Sequence, residues 1–145
     1  MKKIMLLTVL LFTIVANAQS ITLKELESFK KQSLSLTQLN LKDNNYKFYA
    51  NKNGGTQWKA KDGSGTIGAN GKGLVMLMTY NGSLQKKLIA EMKKSFYKYS
   101  GTSNEDNLKV TSFQKGKTTI MTSSSHNPDN DKLLYFITII ERGIN

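Results

Sequence analysis

The chain has no cysteine, and among its 145 residues it has one proline, one histidine, one tryptophan and, at Arg142, one arginine. Each shortage closes off a class of explanation. Without cysteine there are no disulfide staples, no thiolate nucleophile, no thiolate metal ligand and no lipid-modified cysteine near the N-terminus. His126 alone excludes a histidine-rich zinc cluster within one chain, so no metal is expected. A sole arginine makes planar, bidentate recognition of phosphate scarce, and specific nucleic-acid reading is not expected. Outside the N-terminus no apolar run approaches the roughly 20 residues that cross a bilayer. No motif calls for a cofactor.

What is present is positive charge. The formal net charge is +11, carried by lysines scattered along the chain rather than blocked. On a small protein such charge serves solubility, attraction to anionic polymers or complementarity to an acidic partner. The N-terminus reads "MKKIMLLTVLLFTIVANAQS": Lys2 and Lys3, an apolar run from Ile4 to Val15, then the small-x-small triplet Ala16, Asn17, Ala18. This is the three-part pattern of a secretory signal peptide cleaved after Ala18. Residues 1–18 are therefore expected to be a leader and 19–145 a single domain. That domain is exported to the periplasm or the medium, with no membrane span after cleavage.

Two capping boxes open the mature sequence: Thr22 with Glu25, stapled by Ile21 and Leu26, and Ser35 with Gln38, stapled by Leu34 and Leu39. They predict two short helices, the second burying Leu36 and Leu39 and ending at "DNN". From Tyr46 the period changes to two, and "YKFYANK", "NGG" and "TQWKA" predict a hairpin. The glycine-rich segment 62–73 reads as a long connection before "LVMLMTY", an apolar run fit for a strand buried on both faces. Ser83 then caps a helix with Leu84, Leu88, Ile89, Met92 and Phe96 on one stripe and Lys86, Lys87, Lys93 and Lys94 outward. "NLKVTSF", "TTIMTSS" and "KLLYFITIIE" complete the strands. Met76, Met78, Ile137 and Ile139 are all expected in the core.

The reading is an α+β domain, with helices packed on one face of an antiparallel sheet of about six strands. Tyr46-Lys47-Phe48 and Tyr97-Lys98-Tyr99 each follow a helix, which suggests two degenerate α-β-β-β repeats. This element order resembles that of the beta-lactamase-inhibitor-protein-like group, small exported proteins in which a helical segment packs on an antiparallel sheet and the unit repeats. The resemblance covers the mature chain as element order only, and it assigns no binding residues.

Two segments invite a catalytic reading. In "GSGTIGANGKG" the phosphate-loop spacing fails, because Thr66 stands where the first glycine belongs, Gly73 replaces the hydroxyl residue after Lys72, and a strand follows. "TSSSHNPDND" holds His126, Asp129 and Asp131, with serines before them. Triad members converge from separate elements, however, and Asn, Pro and Asp are turn-closing residues. A calcium loop lacks its glycine and terminal glutamate. A hairpin loop is the better account of this segment. Tyr49, with Lys47, Lys59 and Lys61, falls on the strand face opposite Tyr46 and Phe48, where lysine beside tyrosine suits an acidic protein or an anionic glycan. The expected function is a non-enzymatic binding or inhibitory module, its partner an acidic protein or anionic envelope polymer. Its contact residues are Lys86, Lys87, Lys93, Lys94, Tyr49 and Lys47. The alternatives are a small envelope hydrolase using His126 with Asp129 or Asp131, and a structural protein held by charge to envelope polymers.

Overall fold

The computed structural model describes residues 21–52, 54–105 and 108–143; the leader read at residues 1–18 lies outside them. Helix α1 (Leu23–Ser28) starts at the expected capping box, with the Thr22 side chain accepting from the Glu25 N–H and the Glu25 carboxylate from the Thr22 N–H. Helix α2 (Leu34–Asp43) is capped two residues earlier than expected, by Ser33 accepting from the Leu36 N–H. Thr37 and Leu41 form its buried face, while Leu36 and Leu39, expected to be buried, face solvent.

Strands β1 (Tyr46–Lys52), β2 (Gly55–Ala60), β3 (Gly65–Ala69) and β4 (Leu74–Thr79) follow. Helix α3 (Gly82–Lys94) comes next, capped by Asn81 rather than Ser83, since the Asn81 side chain accepts from the Leu84 N–H. The chain ends with β5 (Lys98–Glu105), β6 (Leu108–Lys115), β7 (Thr118–His126) and β8 (Leu133–Glu141). All eight strands form one antiparallel sheet in the order β1-β2-β3-β4-β8-β7-β6-β5. The α+β class and antiparallel sheet hold, but the strand count is eight rather than six, and each half carries four. The two missed strands are polar or glycine-rich. β3 lies inside the segment read as a connection, and β5, "KYSGTSNE", has few apolar residues to signal a strand.

The strand order and the pairing register run the same way outward from the Met76–Thr138 pair at the β4–β8 seam. Val75 pairs with Ile139 on one side of it and Leu77 with Ile137 on the other. The correspondence is detailed. Asn45 and Phe96, each just past a helix, both take left-handed backbone with φ 63° and 64°. Tyr46 and Tyr97 follow, both buried. Each first strand then shifts register at the same place, between Phe48 and Ala50 and between Tyr99 and Gly101. The pair Gly65–Thr79 in the first half corresponds to Thr118–Glu141 in the second. At Gly65 a Cβ would stand 2.4 Å from the Met78 carbonyl oxygen, so only glycine fits.

One sheet face carries the helices. Trp58, Ile67, Leu77, Ile120, Ile137 and Ile139 meet Leu26, Phe29, Leu41, Leu88 and Met92 there in one core. Alternation puts Met76 and Met78 on the other face, correcting their assignment to the core: β4 is buried on one side only, at Val75, Leu77 and Thr79. Phe96, expected on the α3 stripe, lies beyond the helix and is 80% exposed.

Candidate functional site

The sequence-predicted residues do not come together. Lys86, Lys87, Lys93 and Lys94 are exposed along the outer side of α3, in the helix layer. Lys87 lies 3.8 Å from Glu91, whose other carboxylate oxygen accepts from the Leu23 N–H. Lys93 and Lys94 sit in the last turn of α3, where cations offset the carbonyl end of the helix dipole. Lys47 and Tyr49 belong to the opposite face of the sheet. The Lys59 ammonium stands 5.7 Å from the centre of the Tyr49 ring, and Lys47 pairs across the ladder with Lys59.

His126 ends β7, and Asp129 and Asp131 fall in the β7–β8 hairpin loop. The His126 Nδ1 is 3.5 Å from Asp131 Oδ1, with the two side chains 70% and 97% exposed. Neighbouring bonds are turn closures: Asn127 Oδ1 accepts from the Asp129 N–H, Asn130 Oδ1 accepts from the Lys132 N–H, and the Ser125 hydroxyl donates to the His126 carbonyl. None of the three preceding serines hydrogen-bonds the imidazole. Among the described residues no group of three or more histidine or acidic side chains is placed to hold a metal, and no helix is long and apolar enough to cross a membrane.

The face that no helix covers among the described residues has a distinct chemistry. Across the middle of the sheet the ladder aligns Gln57, Gly68, Met76, Thr138, Met121 and Ser112. A second row aligns Lys47, Lys59, Thr66, Met78, Phe136 and Ser123. A third runs Leu74, Ile140, Thr119, Gln114 and Lys98. Methionine, phenylalanine, leucine and isoleucine thus form a central band, and lysines and hydroxyl residues flank it. Met76 is 36% exposed and its neighbours in the band are half-buried. The sequence did carry a signal for the band, since methionine stands at every second position of "VMLMT" and again in "TIMTS".

Within this face one departure from the correspondence of the halves removes a side chain altogether. Met121 in β7 corresponds to Gly68 in β3, which offers no side chain. The strip along β3 is therefore a groove between Gln57 and Lys59 on one wall and Met76 and Met78 on the other. A cavity of about 180 Å³ opens at one end, beside Lys52, Gly68, Leu74 and Met76. Another of about 190 Å³ opens at the other end, beside Lys59, Thr66, Met78 and Leu134.

The ends of the two halves differ as well. The Tyr97 hydroxyl donates to Glu27, and burial, then that carboxylate, holds its phenol well above the ordinary range. Nearby, the buried Lys30 ammonium contacts the Thr118 hydroxyl at 2.8 Å and Glu141 at 3.1 Å. Lys31 closes on the same carboxylate at 2.8 Å. At the corresponding place in the first half, Tyr46 has no hydroxyl partner among the described residues and borders a cavity of about 380 Å³ with Asn44, Asp62, Ser64 and Asn81. Burial and then the Asp62 charge push its phenol up to about 12. Compared with known proteins, the chain matches no family model, no curated protein and no solved structure.

Proposed function

We propose that this chain is an exported, non-enzymatic binding module that docks a protein partner on the uncovered face of its sheet. The observation that carries the reading is the band of Met76, Met78, Met121, Phe136 and Ile140 on a face with no covering element among the described residues, opposite the face that holds the core cluster. Soluble domains seldom leave contiguous apolar surface idle, and methionine adapts its shape to a partner at little cost. Lys47, Lys52, Lys59 and Lys98 flank the band and none of them is ion-paired among the described residues, which suits an acidic partner. The lysines of α3 take a secondary role, in solubility and in attraction to anionic envelope polymers. Export rests on the three-part leader. A kinship of architecture with the beta-lactamase-inhibitor-protein-like group is supported by two helix-and-strand units joined into one sheet.

A photo-crosslinking amino acid placed at position 76, 136 or 86 in the expressed protein tests the reading. Discrete adducts from positions 76 and 136, unaffected by His126→Ala, are expected. Adducts from position 86 alone would move the site to the helix layer, and their absence at all three positions would overturn the reading.

A further inference from the structure

The groove along β3 also constrains what kind of segment the face accepts. Its walls stand two strand spacings apart, roughly 10 Å, which leaves room for one extended chain over a floor of Gly68 and the short Thr66 side chain. The walls differ in chemistry. Toward the sheet edge is Lys59 in β2, with Lys47 and Lys52 one strand further out in β1, and no acidic residue occupies an open-face position in β1, β2, β3 or β4. Toward the seam are Leu74, Met76 and Met78, backed by Phe136. The polar–apolar division therefore runs along the length of the groove. An extended chain lying in it edge-on sends successive side chains to opposite walls, because the strand period is two.

Resting on the docking face proposed above, we infer that the groove receives an extended peptide segment in which acidic and apolar side chains alternate. The acidic side chains meet the lysine wall and the apolar ones the methionine wall. The second half makes no such groove, since Met121 fills the position that Gly68 leaves empty, so the molecule holds one segment rather than two.

Gly68 is a clean place to test this. It is not in left-handed backbone, and a Cβ there would meet nothing nearer than Gln57 Cγ at 3.9 Å. Gly68→Met, which imports the residue used in the other half, fills the groove with little strain, and losing a strand glycine favours the fold if anything. The probes are three fluorescein-labelled peptides of about seven residues, long enough to span β3. The first alternates glutamate with leucine, the second holds the same residues in two blocks, and the third alternates lysine with leucine.

The alternating acidic peptide is expected to bind with salt-sensitive affinity and to shift the methyl signals of Met76 and Met78 but not that of buried Met92. The block peptide, and the alternating peptide on Gly68→Met, should each bind at least about tenfold more weakly, with the thermal midpoint kept. Equal binding of the block or lysine peptide, or undiminished binding to Gly68→Met, would overturn the inference. So would the absence of any methionine shift with every peptide. In each case adducts from positions 76 and 136 would leave the docking face standing, and only their loss as well would remove both.

Discussion

Tyr46 and Tyr97 occupy the same place in the two halves, each after a left-handed residue and at the start of an outer strand, yet their surroundings have diverged. Tyr97 is locked by Glu27 beside the Lys30–Glu141 pair, whereas Tyr46 borders open space. The open face repeats the contrast, with Met121 closing in the second half what Gly68 leaves open in the first. The second half has been filled in and the first left accessible. The correspondence of the halves specifies the scaffold here, and the departures from it mark where something else can bind.

The largest effect should come from the part the halves share. Leu77 and Ile139 hold corresponding places, both fully buried, and truncating either to alanine should cost about 2 to 5 kcal/mol by urea unfolding. Met76→Ala, at the seam but on the open face, should cost about 1 kcal/mol or less. Equal losses at Met76 and Leu77 would mean that the open face is covered.

Next come the tyrosines. Tyr97→Phe removes a hydrogen bond to a carboxylate and should cost about 1.5 to 3 kcal/mol, while Tyr46→Phe removes none and should be close to neutral. A smaller effect of opposite sign is expected at the left-handed residues. The first half uses asparagine at this position and the second uses exposed Phe96, so Phe96→Asn should stabilise by about 1 kcal/mol, read from the denaturation midpoint.

The mildest contrast is in pH. Lys31, then Lys30, holds the Glu141 carboxyl below its usual range. Its contribution is therefore complete above the unfolded value of about 4.3 and is lost as pH falls through the lower folded value. Glu141→Gln should flatten that acid limb of the melting curve; the corresponding place in the first half holds Thr79, which does not titrate. At the alkaline end Tyr46 is raised to about 12, so what it contributes persists below the ordinary value of about 10 and fades as pH rises to about 12. Absorbance titration of Tyr46→Phe should show one late-ionising phenol fewer than the parent.

Elements with strong local signatures were legible in the sequence. The Thr22 box, the α3 stripe through Leu84, Leu88 and Met92, and the inward Ile137 and Ile139 of the final strand each rest on residues whose chemistry acts within a few positions. Strands β3 and β5 were not, because glycine, serine and threonine hold their places through neighbouring strands rather than through their own burial. The apolar run of β4 was misread for a related reason. Its methionines alternate with Val75 and Leu77, and composition alone does not separate a strand buried on both faces from one with an adhesive outer face. The lysines of α3 and the Lys47–Tyr49 pair were each recognisable as exposed, but nothing local says that they lie on opposite layers. The Gly68–Met121 contrast is visible only once register defines which residues correspond.

The seam between β4 and β8 has a kinetic consequence. Of the seven strand pairings, six join neighbours in the chain, with at most six residues between the paired strands. Only β4 with β8 must bring together strands separated by a helix and three strands, so its loop-closure entropy is the largest among the strand pairings. Each half can zip from hairpin to hairpin while the seam waits. Until it closes, Val75 and Leu77 on one half, and Ile137 and Ile139 on the other, end a partly built sheet in an unpaired, strongly apolar strand. The strand pairing that closes the longest loop is thus also the one whose delay most exposes the chain to pairing with a second molecule.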